Sequence, residues 1–390
     1  MVPLKSVAEV IRGVSFSKDE GDSVPSVDSL PVIRAGSIQG SLLLEEGQIW
    51  VPKDKIKHKQ KIRINDIIMC TSSGSPDLVG KCAKSETDYE GSFGAFCAGI
   101  RPDVEKTSAS YLYHFLSSPV FRNWTKSSAG ANIKNIRISE LAEFKIPLPP
   151  LTEQKRIATI LDKADAIRRK RQQAIQLADE FLRAVFLDMF GDPVTNPKGW
   201  DIKPLKDIVK VTTGNTPSRK EDSYYGDYIE WIKSDNINTP SHILTQATEY
   251  LSQKGLSVGR SVPSGSTLIT CIAGSFDCIG NAAYADREVA FNQQINALTP
   301  YEGINNWFLY ALVLFSKRQI QAASTNSMKG MVSKGKMEEI AVISPPEADQ
   351  KKFETIYFQW RDIQNKADAS LSEVSNIFSS LSQRAFSGNL

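Results

Sequence analysis

The sequence predicts an α+β fold built twice: two tandem, pseudo-symmetric globular domains separated by two long helices that pair as an antiparallel coiled coil. One observation is a repeat. Gly74-Ser75-Pro76-Asp77-Leu78-Val79-Gly80 returns about two hundred residues later as Gly274-Ser275-Phe276-Asp277-Cys278-Ile279-Gly280, Pro3-Leu4-Lys5 returns as Pro204-Leu205-Lys206, and Pro149-Pro150 with Gln154-Lys155-Arg156 returns as Pro345-Pro346 with Gln350-Lys351-Lys352. The second is a change of period within each copy, from short strand-like runs to a long helical pattern. The third is a heptad seam in both helical stretches.

Residues 1–150 mix strand-like runs with turns: Pro31-Val32-Ile33-Arg34-Ala35, Gln48-Ile49-Trp50-Val51, Asp66-Ile67-Ile68-Met69-Cys70 and Phe93-Gly94-Ala95-Phe96-Cys97-Ala98. A short helix at 110–117 and an apolar stretch at 144–148 follow. Residues 204–346 repeat this order, with strands at 229–233 and 266–270 and a helix at 306–315.

The interior of 152–190 holds neither Pro nor Gly. Setting Ile157 at position a puts Ala164, Arg171, Ala178 and Val185 at a, and Ile160, Ile167, Ala174 and Phe181 at d. The copy puts Phe353, Trp360, Ala367, Val374 and Leu381 at a, with Ile356, Ile363, Ser370 and Ile377 at d. Each helix should extend roughly 50–60 Å. Two helices with one seam, each following a matching domain, point to mutual pairing; the intervening domain turns the chain back, so the pair should run antiparallel and hold the domains apart as a rigid spacer. The linker at 191–203 carries Gly191, Pro193, Asn196 and Pro197, which stop the first helix near Phe190. The expected parts are therefore 1–150, 151–190, 191–203, 204–346 and 347–390.

Apolar residues make up 41% and charged residues 23% of 390, a globular composition with room for two cores. With no run of eighteen apolar residues and with Lys5 and Glu9 near the start, the chain should sit in the cytoplasm, without a membrane partner. Five cysteines without a Cys-x-x-Cys pair and three scattered histidines read as buried thiols rather than a metal site. The net charge of +3 decides nothing about nucleic acid.

Catalytic motifs fail residue by residue. Gly74 and Gly80-Lys81 are separated by five residues where a phosphate-binding loop has four, and Cys82 stands where a magnesium-holding hydroxyl belongs. Leu148-Pro149-Pro150-Leu151 and Ser344-Pro345-Pro346-Glu347 lack the Asn or Asp and the aromatic that an adenine methyltransferase places around Pro-Pro. Asp103-Val104-Glu105-Lys106 is too cramped for a nuclease centre. The chain should not be an enzyme and should bind no cofactor itself.

Polar loops suited to phosphates or base edges occur in both halves. The first offers Ser72, Ser73, Ser75, Lys81, Asn132, Lys134 and Asn135; the second offers Ser275, Asn281, Lys329, Lys334 and the run Asn292-Gln293-Gln294, whose paired donors and acceptors suit adenine in the major groove.

These features together resemble the specificity subunit of a type I restriction-modification enzyme. The resemblance is carried by Ile146-Pro147-Leu148-Pro149-Pro150-Leu151-Thr152-Glu153-Gln154-Lys155-Arg156-Ile157, by Ile160-Leu161-Asp162-Lys163-Ala164-Asp165, by Met189-Phe190-Gly191-Asp192-Pro193 and by Gly214-Asn215-Thr216-Pro217-Ser218. It implies that each globular domain is a target-recognition domain reading half of an asymmetric, bipartite site in double-stranded DNA, with half-sites centred roughly 10 bp apart. It implies that the helices set the gap and dock two methylation subunits, with Gln154, Arg156, Gln350 and Lys352 as docking residues. S-adenosylmethionine would then belong to the methylation subunits, which methylate adenine at N6, and ATP and magnesium to restriction subunits. The border near Gln350 departs slightly, with Asp349 where the first copy has Glu153. The alternative is a non-catalytic coiled-coil adaptor between proteins.

Overall fold

A computed structural model describes residues 1–128, 135–325 and 330–390. The chain divides into two compact units, residues 1–173 with 368–390, and residues 174–367. Each unit therefore takes one globular portion together with part of each long helix, so the helices are not separate bodies.

In the first unit a four-stranded antiparallel sheet runs in the order Ala8–Arg12, Cys97–Pro102, Ile67–Cys70, Cys82–Lys84. Ile67–Cys70 is buried on both faces, which explains its unbroken apolar run. A second sheet places Ser29–Ile33 between Ile49–Pro52, antiparallel, and Ser92–Phe93, parallel. The stretch 93–98, expected as one strand, is two strands joined by a tight turn at Ala95-Phe96, just after Gly94. The cause is tertiary: Val14 N donates to Phe93 O (2.8 Å) and Gly94 N to Ile33 O (3.0 Å). Here Gly13 passes so close that a Cβ on it would lie 2.1 Å from Gly94 O.

The second unit repeats this plan with the sheet order Val209–Thr213, Ile295–Pro300, Thr267–Thr270, Ala282–Tyr284. Thr267 pairs with Leu298 as Ile67 pairs with Ile100. Gly214 repeats the close approach, a Cβ there falling 2.2 Å from Asn292 O. The repeated Gly-to-Gly segment is a structural turn in both copies. Each contains a short 3-10 turn, Pro76–Leu78 or Phe276–Cys278, and ends on a glycine with positive φ, +80° at Gly80 and +81° at Gly280. The short helices form at Ala109–Ser117 and Asn306–Phe315, each capped by the side chain of the residue before it, Ser108 or Asn305.

The long helices run Leu151–Phe190 and Glu347–Ser387. Within each unit their segments lie antiparallel. In the first, Arg156 donates to Leu390 O (2.7 Å) and the Arg168 guanidinium lies 5.4 Å from the Phe378 ring. In the second, Trp360 Nε1 donates to Ala178 O (2.7 Å) and Phe190 packs edge-on against Phe353. A stack of Tyr284, Trp307 and Tyr357, with centroid separations of 3.7 and 4.4 Å, joins sheet, short helix and C-terminal helix in that unit.

The heptad column at a is confirmed in outline, but its partner column is shifted. Leu161, Leu182, Tyr357 and Gln364 are buried, four residues beyond an a position, whereas Ile167, Phe181, Ile363 and Ile377 are 50–58% exposed. Ile160, Ile356 and Ser370 are only half-buried. Burial therefore falls on a and e, with Tyr357 at e stacked on Trp307 of the short helix. Apolar residues stand at both +3 and +4 in Ile160-Leu161, Phe181-Leu182 and Ile356-Tyr357, and a period of 3.6 leaves the choice to the partner.

Four of the five cysteines are buried, and burial pushes the Cys97 and Cys271 thiols up to about 12. No helix among the described residues is long and apolar enough to cross a membrane.

Leu182→Ala should cost about 2–5 kcal/mol of stability, because it empties a buried site, whereas Phe181→Ala should stay within about 0.5 kcal/mol. Urea unfolding of both variants checks this; equal losses would place Phe181 in the seam after all.

Candidate nucleic-acid interface

In each unit three segments meet where the central strand ends. Beyond Ile67–Cys70, Thr71 N and Ser72 N donate to Phe96 O (2.8 and 3.1 Å), Ile136 N donates to Thr71 O (2.7 Å), and Cys70 N donates to Lys81 O (2.8 Å). Ser72 also forms a β-bridge with Asn135. Beyond Thr267–Thr270 the pattern returns: Cys271 N and Ile272 N donate to Gln294 O (2.8 and 3.1 Å), Val332 N to Cys271 O (3.0 Å), and Thr270 N to Asn281 O (2.9 Å). Distant loops are thus bound to one rigid strand end by backbone hydrogen bonds. Such a frame holds whatever side chains it carries in fixed directions.

In the first unit it gathers Ser72, Ser73, Ser75, Lys81 and Asn135. Ser75 and Asn135 are exposed, and Ser73 Oγ accepts from Ser75 N (3.1 Å). Lys81 is half-buried, and its ammonium has no hydrogen-bond or ion-pair partner among the described residues. Asn132, Lys134 and Lys329 lie outside the described residues.

In the second unit Ser275 is exposed, and Lys334, also exposed, sits 3.5 Å from Glu338. Asn281 has an internal role, donating from Nδ2 to Asn238 Oδ1 (2.8 Å) and accepting from Lys317 Nζ (2.5 Å). Asn292 is 6% exposed, with both ends of its amide bonded to Gln294. Of the run expected to read adenine, Gln293 is exposed and accepts from Thr216 Oγ1, and Gln294 is half-buried.

Sequence reasoning missed a second-unit cluster on the neighbouring sheet. The Arg219 guanidinium lies 4.3 Å from the Tyr225 ring and 4.9 Å from the Trp231 ring, with Lys233 5.3 Å from the latter. Glu249 binds both cations, and its hydrogen bond from Lys233 holds its carboxyl below the usual range. The interleaving of Tyr224-Tyr225, Trp231 and Lys233 was the available signal.

Two of the expected docking residues are corrected by their surroundings. Gln154 is 1% exposed; Nε2 donates to Pro149 O (2.9 Å), while Oε1 accepts from Thr107 Oγ1 (2.9 Å) and Ser108 N (3.0 Å). Gln350, equally buried, donates to Pro345 O (2.8 Å) and accepts from Asn305 N (2.9 Å). Both tie the helix start to its own globular portion, which leaves neither available to a partner. Arg156 and Lys352 are exposed and paired on their own helices, to Glu153 and Asp349.

A family model described as the type I restriction modification DNA specificity domain matches residues 1–177 and again 197–367. The chain belongs to this DNA specificity family. It carries two specificity domains, one centred in each compact unit. It is 28% identical to the EcoKI specificity subunit of Escherichia coli strain K12 over 100% of this chain and 89% of that one. It is 26% identical to the StySPI specificity subunit of Salmonella potsdam over 100% and 88%. The fold is similar to the crystal structure of a type I restriction-modification S subunit from M. genitalium, with a TM-score of 0.54 and 16% identity over 98% of this chain and 95% of that one. The chain is accordingly a type I specificity subunit, a DNA-recognition component rather than an enzyme in its own right.

Because Lys81 stands on the specificity-domain frame with no ammonium partner among the described residues, Lys81→Ala should weaken duplex binding about equally across sequences. It should also lower the slope of log affinity against log salt by about one. Titrations at several salt concentrations measure both; an unchanged slope would remove Lys81 from the phosphate-contacting set.

Proposed function

We propose that the first specificity domain reads one half, and the second the other half, of an asymmetric bipartite sequence in double-stranded DNA. The observation that carries this reading is the repeated frame with unlike cargo. Both units bind three loops to a strand end by the same backbone bonds, but the turn carries Ala95-Phe96 in one and Gln293-Gln294 in the other. Identical side chains would suit a palindrome; different side chains suit two unrelated half-sites.

The paired helices set the number of unspecified base pairs between the half-sites. They also dock two methylation subunits, which hold S-adenosylmethionine and methylate adenine at N6. Restriction subunits bring ATP and magnesium for cleavage. Support for docking comes from the apolar residues the seam leaves outside: Ile167 and Ile377 in the first unit, and Leu177, Phe181, Phe358 and Ile363 in the second, all at least half exposed. Exposed apolar side chains in such number on helices that already pair are suited to a further helical partner.

Mapping N6-methyladenine in cells with the chain and its methylation subunit, against cells lacking the chain, tests the reading. A split motif that depends on the chain is expected; an active methylation subunit whose motifs are indifferent to the chain would favour a protein adaptor.

Inserting one heptad into each helix, at 174–178 and 370–374, should lengthen the gap by roughly three base pairs, since seven residues rise about 10 Å. Both half-sites should stay the same, and an unchanged gap would defeat the spacer role. Phe181→Glu with Ile363→Glu should leave the fold intact yet reduce copurification of the methylation subunit at least about tenfold. Undiminished copurification would move the docking face elsewhere.

A further inference from the structure

We propose that Arg34 and Phe96 form a base-reading pair of the first specificity domain, with Arg34 meeting a guanine. This rests on the reading of that domain as a half-site reader and names two residues that do it. A base reader needs a fixed backbone and an unoccupied tip. Phe96 has both. Its carbonyl accepts from Thr71 N (2.8 Å), Ser72 N (3.1 Å) and Thr71 Oγ1 (3.1 Å), while the residue is 69% exposed. An apolar ring held out by three hydrogen bonds on its own carbonyl adds little to the core, and its place beside Ser72 and Asn135 puts it among the loops of the reading frame.

Arg34 and Phe96 line one concave groove of about 530 Å³, together with Gln39, Leu43 and Glu46. Arg34 is exposed, and its guanidinium has no hydrogen-bond or ion-pair partner among the described residues. The repeat supplies the contrast. Arg34 O accepts from Ser37 N (2.9 Å) as Lys233 O accepts from Asn236 N (3.0 Å), so the two residues hold equivalent places. Lys233, however, is engaged by Glu249. In the first unit the cation at this place has no partner among the described residues and shares a groove with the exposed Phe96.

A free guanidinium on a rigid edge fits the two major-groove acceptors of guanine, O6 and N7, in a bidentate pair. Glu46 across the groove can accept from the amino group of the paired cytosine. The Phe96 ring packs on the C5-methyl edge of a neighbouring thymine.

The test maps N6-methyladenine in cells carrying the methylation subunit with the wild-type chain or with Arg34→Ala, Arg34→Gln or Phe96→Ala. Both residues are exposed, and copurification with the methylation subunit verifies assembly. Arg34→Ala should relax one guanine in one half-site by roughly 10- to 100-fold in discrimination, leaving the other half unchanged. Arg34→Gln should shift that position toward adenine. Phe96→Ala should relax an adjacent thymine. An unchanged motif in all three variants, relaxation confined to the other half-site, or uniform loss of methylation from an assembled complex would overturn the proposal. Absence of any chain-dependent split motif with the wild-type chain would instead sink the half-site reading beneath it.

Discussion

A single buried glutamine at the start of each long helix fixes the direction in which that helix leaves its globular portion. Gln154 is bonded to a proline carbonyl of the border, to the Thr107 hydroxyl and to the backbone N–H that opens the short helix at Ser108. Gln350 makes the same kind of tie to Pro345 O and Asn305 N. A buried primary amide that lost these partners would carry a desolvation cost of a few kcal/mol. The amide therefore works as a rigid bracket: the helix, the border prolines and the short helix share one polar hub inside an otherwise apolar contact. Every later property, including where the paired helices present apolar side chains, depends on that fixed departure.

The globular portions follow a parallel economy of design. Their main four-stranded sheets agree in order and register, and the copies share the close passage of Gly13 and Gly214 and the positive-φ glycines at 80 and 280. Those positions are constrained by backbone geometry, so they repeat. The side chains carried at the strand end are constrained only by what they meet outside, and there the copies part: Phe96 against Gln294, a free Arg34 against a paired Lys233. A protein that must change targets without losing its fold gains from this separation of scaffold and cargo.

The helices illustrate how one pattern serves two surfaces. Columns a and e are buried, and the adjoining column, with Ile167, Phe181, Ile363 and Ile377, remains outside. A stripe wider than a two-helix seam is what a larger bundle requires.

The sequence by itself determined the duplication, the α+β order within each copy, the existence and length of both long helices and the linker that ends the first, because repeats, helical period and glycine or proline stops are local signals. It also carried the family, through the border around Gln154 and its copy. It did not decide which apolar column is buried, since Ile160-Leu161 and Phe181-Leu182 offer two choices and only the tertiary packing around each helix selects between them. Nor did it separate Gln154, Gln350 and Asn292, which are buried and internally bonded, from exposed Gln293, because an amide reads the same in sequence whether its partners are protein or not. Phe96 and Arg34 escaped notice for the complementary reason. A phenylalanine in a strand-like run signals core, and only the turn forced by Gly13, Val14 and Gly94 carries its ring to the surface.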